Sequence, residues 1–531
     1  MRKVELKDPN QNPWYILMTL HGEQEGDEID WELHEKNRKL WNAWACQGMN
    51  DEEREKLAKS SRVSVAEMEW SDAIEQDVLA LFMREFVKRN AAQPITPKIP
   101  KPAAAIDLTG VRFSKTYAIK GAIFVSTIIC TSAVFRKDAS FVNVTFKGDA
   151  DFGDARFEGS ANFDKTTFSD DVSFNNAKFV GQVVFDSATF ECDAFFISAK
   201  FGLSAQFRAA TFMRNAGFGG AEFNGDAEFP GTRFNGNAEF GSTIFIAAIN
   251  FAFARFKELA DFSSSLDPRG DDSLLATFGP SIDFSDIHCE KRADFNNRRF
   301  GPYEGSAEVV TFENAIFDGP VSFDGAIFPH LLPKLSNATL PQLTKLTADP
   351  AHWPNIPSPW ELITRNTRAG WKDAIQVKAS SATLRYTMSR QGLPEEEHFF
   401  FRYEMNAAAL IGGFLQRLPY ILFSIFSDFG HSIFRPLLWL LGIVTVCWLA
   451  YGAQFAWGAV LHDGMHTSDE ALALSFSNTF SFLGFQRLYF GVDYINTLPV
   501  WMRVCGAAQT VVGVILLFFL GLGLRTRFRL R

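Results

Sequence analysis

Phenylalanine recurs through the middle of the chain, and between Phe141 and Phe262 its steps alternate strictly between five and six residues. The repeat runs from Phe113 to Phe328, and its densest part is Phe141 to Phe262. Two positions before each Phe stands a small or β-branched residue, usually alanine, and Gly, Asn and Asp fill most of the other positions. An internal repeat of this kind determines the fold of its segment.

The alternating steps exclude a helix and a flat sheet. At about 100° per residue, a five-residue step places successive rings roughly 140° apart on a helix, and the Gly and Asn content is unfavourable there. On a strand, a five-residue step changes the face whereas a six-residue step keeps it. The pattern therefore predicts a chain that turns a corner every five or six residues, which is a four-sided β-solenoid with its rings inside.

The repeat covers residues 106–330 and predicts a stack of coils. Four steps of five and six residues make 22 residues per coil. About nine or ten coils at a strand spacing of roughly 4.8 Å give a rod of some 45 Å, in which each coil packs only on its neighbours. The predicted core comprises these phenylalanines: Phe152, Phe157, Phe163, Phe168, Phe174, Phe179, Phe185, Phe190, Phe196, Phe201, Phe207, Phe212, Phe218, Phe223, Phe229, Phe234, Phe240 and Phe245.

The repeat units resemble the pentapeptide-repeat family, in its Phe-centred branch. Ala221-Glu222-Phe223-Asn224-Gly225 and the following Asp226-Ala227-Glu228-Phe229 match the small-x-Phe core of that family. The resemblance implies a right-handed quadrilateral β-helix, with four faces to a coil. One interruption follows Phe262, where Asp267 and Ser273 occupy positions at which phenylalanine is due. Residues 263–276 are therefore predicted to form a loop, which is either a tolerated insertion or a partner-binding segment.

Residues 1–92 are predicted to be a helical N-terminal cap domain. Asp27 to Trp44 has amphipathic helical spacing, and Ser64 with Glu67 forms a capping-box pattern before a second helix. Such a domain would cover the first coil, which otherwise exposes an edge that can pair with another chain. His21 and His34 stand at a spacing that matches no metal site. Residues 93–105, rich in proline, are predicted to be a stiff linker.

Beyond the repeat, residues 331–409 are predicted to be a connector followed by a helical pair, and residues 410–531 a membrane domain. Leu410 to Phe434 suits an interfacial helix, because charges interrupt its apolar clusters. Two uncharged stretches, 436–458 and 504–524, are long enough to cross a hydrocarbon core of about 30 Å. Four arginines follow the second stretch, so the C-terminus, and with it the solenoid and the N-terminal region, is expected in the cytoplasm of a multi-pass inner (plasma) membrane protein.

Between the two spans, residues 471–486 are apolar but too short to cross, which predicts a re-entrant segment. Span, half-helix and span together resemble the two-transmembrane pore module of the potassium-channel superfamily. That resemblance implies a set of candidate pore-lining residues: Thr479, Ser481, Gly484, Phe485, Gln486 and Arg487. The sequence departs from the channel pattern at Phe482, Gln486 and Arg487, so the resemblance is to a degenerate pore. An amphipathic hairpin on the outer face is the alternative interpretation.

Composition favours a binding protein over an enzyme. The chain has 531 residues, a net charge of −9 and six cysteines without paired or metal-like spacing, which fits a reducing compartment. It contains no phosphate-binding loop and no nucleophile elbow. Because a solenoid filled with rings has no cavity, we expect no catalytic residues, no cofactor and no metal.

Three functional hypotheses follow from these features. The first is a non-enzymatic, membrane-anchored scaffold whose cytoplasmic solenoid binds another protein, as yet unidentified, and no nucleic acid. The second is an ion-channel-like protein, a homo-oligomer through its membrane domain. The third is a DNA-mimic regulator of a topoisomerase, which the pentapeptide-repeat resemblance suggests but which requires a broad acidic stripe on the solenoid.

Overall fold

The computed structural model describes residues 6–26, 28–91, 98–265, 276–302, 307–457 and 467–528. The chain forms two compact units. The first comprises Met1–Asn355 with Arg390–Gly392, and the second comprises Ile356–Ser389 with Leu393–Arg531. The first unit holds a helical region and a β-solenoid, and the second unit is helical.

Among the described residues, four α-helices precede the solenoid: α1 (Pro13–Met18), α2 (Trp31–Ala45), α3 (Asp51–Ser61) and α4 (Asp72–Arg89). Helix α2 begins where the Asp30 carboxylate accepts hydrogen bonds from two backbone amides of its first turn. The capping box predicted at Ser64 is wrong, because Val65–Met68 is a short 3₁₀ helix whose Ser64 side chain makes no cap hydrogen bond. Helix α4 starts later, with Ser71 as its cap.

The solenoid has four faces, each a parallel sheet of very short strands. Face 1 contains Ile106–Asp107, Ile128–Ile129, Ala150–Asp151, Val172–Ser173, Ala194–Phe195, Ala216–Gly217, Ala238–Glu239, Ala260–Asp261, Ala293–Asp294, Val321–Phe323 and Lys345–Leu346. Face 2 contains Arg112–Phe113, Val134–Phe135, Arg156–Phe157, Lys178–Phe179, Lys200–Phe201, Glu222–Phe223 and Ile244–Phe245, and then the separate pair Thr277–Phe278 and Arg299–Phe300. Face 3 contains Tyr117–Ala118, Ala139–Ser140, Ala161–Asn162, Val183–Val184, Ala205–Gln206, Ala227–Glu228, Ile249–Asn250, Ser281–Asp283 and Val309–Thr311. Face 4 contains Ile123–Phe124, Thr145–Phe146, Thr167–Phe168, Thr189–Phe190, Thr211–Phe212, Arg233–Phe234, Arg255–Phe256, His288–Cys289 and Ile316–Phe317.

The phenylalanine rings fill the interior of the solenoid. All eighteen rings of the predicted core are at most 1% exposed. Rings of successive coils stack face to face, as for Phe196 and Phe218, whose centroids are 4.7 Å apart. Rings on opposite faces meet edge to face, as for Phe196 and Phe207 at 5.6 Å and 87°. Both geometries are preferred by aromatic pairs, so each ring is held in register with its neighbours.

The alternation of five-residue and six-residue steps reflects two kinds of corner. At five-residue corners the second residue after the Phe has a left-handed backbone, as at Ser198 (φ 56°), and the turn closes by a hydrogen bond from the Ala199 amide to the Phe196 carbonyl. These positions are therefore occupied by Gly, Asn, Asp or Ser in most coils. At six-residue corners successive coils approach closely, so that a Cβ on Gly225 would lie 2.4 Å from the Leu203 carbonyl carbon.

Pairing offsets locate an insertion in the stack. Most pairs join residues 22 apart, as for Ala194 and Ala216. The pair Ile249 and Ile282 is 33 apart, which means that eleven extra residues lie between them. Residues 266–275 of the predicted loop 263–276 lie outside the described residues, so the loop stays a prediction.

The N-terminal helices cover the first coil through specific hydrogen bonds. The Asn42 side-chain amide donates to the Gly121 carbonyl at 3.1 Å, and its oxygen accepts from the Ile123 amide at 2.9 Å. Trp41 Nε1 donates to the Ile123 carbonyl at 2.9 Å. The edge of the first coil is thereby paired, which agrees with the predicted helical cap. At the other end, Trp353 stacks on Phe328 at 4.9 Å.

The second unit contains nine helices in the part of the chain that the structure describes. They are α5 (Pro359–Thr364), α6 (Ala374–Gln391), α7 (Pro394–Ala408), α8 (Phe414–Ser427), α9 (Phe434–Ala456), α10 (Thr467–Thr479), α11 (Phe485–Tyr489), α12 (Val492–Thr497) and α13 (Val500–Phe528). Helix α9 and residues 500–527 of α13 are long and apolar enough to cross a bilayer. In the most apolar 18-residue segment of each helix, only 17% and 22% is buried, respectively, so neither is an internal helix of a soluble core.

Candidate interaction surface and membrane module

Two outer faces of the solenoid carry runs of similar side chains. The residue directly before each core Phe points outward, and strand pairing aligns these residues in ladders, 22 residues apart through most of the stack. Face 2 carries exposed cations at four such positions, which we call the basic ladder: Arg112, Arg156, Lys178 and Lys200. Face 4 carries what we call the threonine ladder: Thr145, Thr167, Thr189 and Thr211.

The basic ladder is bounded by acidic side chains on the same face. Arg156 Nε lies 3.0 Å from Glu158 Oε1, and Lys200 pairs with Glu222 of the next coil. These pairs are exposed, and exposed ion pairs contribute little to stability. The ladder cations thus remain available to a partner that offers several acidic groups at once.

Acidic side chains on face 1 make hydrogen bonds and ion pairs within the solenoid. Asp151 accepts hydrogen bonds from the Gly153 amide at 2.8 Å and from the Thr131 hydroxyl at 2.9 Å. Asp294 pairs with Arg292 at 2.5 Å. Ser173, Phe195 and Gly217 interrupt the acids along the ladder. A broad acidic stripe of the kind that DNA mimicry requires is not formed on this face.

Histidine and cysteine side chains in the first unit have structural surroundings. Both ring nitrogens of His34 lie against first-coil carbonyls, those of Ala118 at 3.2 Å and Lys120 at 2.8 Å. On an exposed corner, ligand atoms of Asp170, Asp171 and Cys192 lie within 4.8 Å of one another. Exposed acidic groups commonly lie this close without an ion, and we assign no function to this group.

Helix α10 packs between the two span-length helices through a buried polar network. Gln509 Nε2, on α13, donates to the Ser475 carbonyl at 2.8 Å and to Thr479 Oγ1 at 2.7 Å. Tyr451 on α9 donates to Gln509 Oε1 at 3.1 Å, and the Ser475 hydroxyl donates to the Val444 carbonyl at 2.8 Å. One glutamine therefore joins three helices, which fixes α10 against both long helices.

Comparison with known proteins identifies the central repeat. A family model described as pentapeptide repeats (9 copies) matches residues 120–166, 131–178 and 154–200. Residues 120–200 are pentapeptide repeats. No curated protein and no solved structure matches the chain, and no family model matches the pore-like module. The pentapeptide-repeat solenoid extends in the structure beyond the matched residues, because the same pairing continues through face 1 to Lys345–Leu346.

The candidate pore-lining residues do not form an extended filter in this chain. Thr479 ends α10, and its hydroxyl is buried and donates to the Ser475 carbonyl at 3.0 Å. Ser481–Leu483 is a 3₁₀ helix, and Gly484 adopts a left-handed conformation (φ 73°) before α11. Phe485 packs 5.8 Å from Phe476.

The last two candidates lie in α11. Gln486 donates to Asn478 Oδ1 at 3.2 Å, which brings it back to α10. The Arg487 side chain lies outside the described part of the chain. The segment 471–486 therefore enters beside α9, reverses near Gly484 and returns as a helix, whereas a carbonyl-lined filter is a non-helical loop.

Sequence reasoning missed the residues that organise these surfaces. Tyr451 and Gln509 lie within the two predicted spans and were not recognised as contact residues. A polar side chain inside a long apolar helix is nevertheless a signal of interhelical contact. The basic and threonine ladders were missed because charges were counted along the chain. Grouping residues at intervals of 22 would have revealed both ladders in the pentapeptide-repeat segment.

Proposed function

We propose that this protein is a non-enzymatic, membrane-anchored scaffold whose solenoid presents its outer faces to another protein. The observation that carries this proposal is the complete filling of the solenoid by stacked phenylalanine rings, which leaves its outward ladders as the surface for recognition. The two long apolar helices anchor the scaffold in a membrane.

The charge distribution supports a cytoplasmic solenoid. Arg525 and Arg527 lie in the last turn of α13, and the sequence adds Arg529 and Arg531. Arg435 lies at the start of α9, which is the corresponding end of the first span. Basic residues accumulate on the cytoplasmic side of membrane helices. Two spans then place the segments before α9 and after α13 on the same side of an inner, or plasma, membrane.

The basic ladder is the part of the solenoid best suited to a protein partner. Its four cations project from one face of a rigid stack, with Val134 between the first two. An acidic segment lying along this face would meet one positive charge at nearly every coil, about every 4.8 Å. Such complementarity steers association and selects partners by charge. We therefore propose an acidic protein segment as the ligand of face 2.

Crosslinking in native membranes tests this proposal. A variant with Arg156→Glu, Lys178→Glu and Lys200→Glu reverses the ladder without touching the buried rings. A matched control changes face 4 instead, with Thr167→Glu, Thr189→Glu and Thr211→Glu. The partner captured by the parent protein should be lost from the face 2 variant and kept by the face 4 control. Equal capture by both variants would remove face 2 as the binding surface.

An ion-channel-like role is a second candidate because α10 enters between the two span-length helices and reverses at Gly484. A groove of about 340 Å³ between α10 and α13 has Asn478, Gln486 and Thr510 among its lining residues, which suits contact with water or with another copy of the module. Reconstitution with single-channel recording of the parent and of Arg487→Asp tests this role. Absence of current from both proteins would leave the scaffold alone.

A further inference from the structure

Helix α8 has its polar side turned inward and its apolar side turned outward. Arg417, Ser424 and Ser427 are at most 5% exposed. On the opposite side, Leu415 is 81% and Phe414 63% exposed. Helices on the surface of water-soluble proteins show the reverse arrangement. This polarity is what a helix requires when its outer side contacts lipid.

The polar side of α8 is fixed by contacts with protein. Arg417 Nε donates to the Ala409 carbonyl at 2.7 Å, at the end of α7, and its guanidinium also donates to the Leu362 carbonyl in α5. The Ser424 carbonyl accepts from Arg435 at 2.8 Å. The Arg417 guanidinium thereby satisfies terminal carbonyls of two helices. Rotating α8 to hide its apolar side would break all of these bonds, so the outward side is determined.

The apolar side of α8 continues onto the two span-length helices. Phe426 packs edge to face on Trp439 of α9 at 5.3 Å, and Phe423 stacks on Phe519 of α13 at 5.2 Å. Trp439 is itself 43% exposed. The sequence has no charged residue from Leu418 to Ser427. A single apolar surface therefore runs from α8 onto the outside of α9.

The dimensions of α8 exclude a third span. Its 14 residues have a length of about 21 Å, which is short of a hydrocarbon core of about 30 Å. Pro419 lies inside the helix, and Gly413 precedes it. A helix of this length with one apolar side lies along the membrane interface, with that side buried about 5–10 Å into the boundary between headgroups and acyl chains.

We propose that α8 binds the phospholipid surface beside the N-terminal end of α9, with Phe414, Leu415 and Leu422 in the acyl-chain boundary. Arg417 is a positioning residue that ties α5 and α7 to this lipid-bound helix. The connector between solenoid and first span is thereby held against the bilayer. This inference rests on the membrane anchoring proposed above and adds a second, interfacial contact to it.

Fluorescence quenching in nanodiscs that hold one copy of the full chain tests the inference. An environment-sensitive probe is attached to Leu415→Cys, to Val446→Cys within α9, and to Leu203→Cys on the solenoid. The parental residues at the two reference positions are 66% and 56% exposed, so the three sites are matched in accessibility. The background replaces the accessible or half-buried cysteines by alanine: Cys192, Cys447 and Cys505.

The expected result is loss of Leu415→Cys emission with lipids that carry a nitroxide near the headgroup, and smaller loss with a nitroxide deep in the chain. Val446→Cys should show the opposite depth preference, and Leu203→Cys should lose emission only with aqueous iodide. Iodide quenching at Leu415→Cys would overturn the inference, and so would protection from both quenchers, which would mean that protein covers α8. Iodide quenching at Val446→Cys would instead refute the membrane anchoring itself.

Discussion

Within each coil, the position of a residue relative to the nearest core Phe decides what its side chain contacts. Ala194, Phe195 and Phe196 are consecutive, yet the first and third are fully buried whereas Phe195 is half-buried on the outside of face 1. The same side chain thus has different roles at neighbouring positions, because successive residues of a strand point to opposite sides.

We expect Phe196→Ala to destabilise the solenoid by about 3–5 kcal/mol, because it removes a ring from the stack and leaves a cavity. Phe195→Ala removes an identical side chain from the adjacent outward position and should cost far less. Denaturant unfolding of the detergent-solubilised protein, followed by circular dichroism, measures both. Similar losses in the two variants would contradict the assignment of inside and outside.

We expect His398 in α7 to make the stability of the second unit sensitive to acid. Burial, and then the neighbouring His431 and Arg402, lower the pKa of His398 from its ordinary value to about 4, against the opposing effect of Asp428. The His398 and His431 rings stack at 5.8 Å. Because the unfolded chain takes up this proton near pH 6.5 and the folded chain only near pH 4, stability should fall as the pH decreases between these values.

Thermal unfolding of the parent and of His398→Leu between pH 7 and pH 4 measures this effect. The parent should lose stability across the range, and the variant should lose less because one proton-binding group is absent from its unfolded state. Burial also lowers the pKa of His431, which lies near Arg402, Arg435, Arg527 and Asp428. We expect His431 to account for part of the pH dependence of stability that remains in the variant. Parallel profiles for the two proteins would show that His398 does not contribute.

At the scale of elements, the solenoid was predictable and the helical regions only in outline. The alternation of steps excluded a helix and a flat sheet, and the resemblance to pentapeptide repeats implied four faces to a coil. The first helix of the pair predicted within residues 331–409 is instead α5, a 3₁₀ turn and α6, since Arg365 takes a left-handed conformation at the end of α5. Such breaks depend on contacts like that of Arg417 with the Leu362 carbonyl, which local sequence does not specify.

The membrane module shows the same limit. The lengths of the uncharged apolar stretches located both long helices to within a few residues. Helix α9 spans 434–456 against the predicted 436–458, and α13 spans 500–528 against the predicted 504–524. The path of residues 480–499 was not predictable, because it depends on the pairing of Gln486 with Asn478 and on the left-handed Gly484. A resemblance to a filter sequence did not foresee this helical return.

The N-terminal cap can be tested at the contact of α2 with the first coil. Asn42→Ala removes both hydrogen bonds to the coil edge and leaves the Gly121 carbonyl and the Ile123 amide unpaired, at about 1–3 kcal/mol for each buried group. Hydrogen exchange at the Ile123 amide should accelerate. Gln47→Ala is the matched control, because Gln47 bonds within its own helical segment, to the Trp44 carbonyl. Unchanged exchange in Asn42→Ala would mean that the cap does not protect the edge.

At the scale of the whole molecule, two units use aromatic and apolar residues in opposite ways. The first unit encloses its core phenylalanines and exposes ladders of charged and polar side chains. The second unit exposes Phe414, Leu438, Val446 and Phe518 and encloses Arg417 and Gln509. This inversion underlies both proposals.

The offset of 22 residues that most paired strands share has a consequence for how such a gene can change. Duplicating or deleting the codons of one full coil alters the rod by a single layer, about 4.8 Å, and returns every outward ladder to its own side. A change of any other length breaks this offset, as between Ala260 and Ala293, which pair at a separation of 33 residues. The solenoid can therefore be lengthened or shortened by whole coils, while the segments that cover its two ends stay the same.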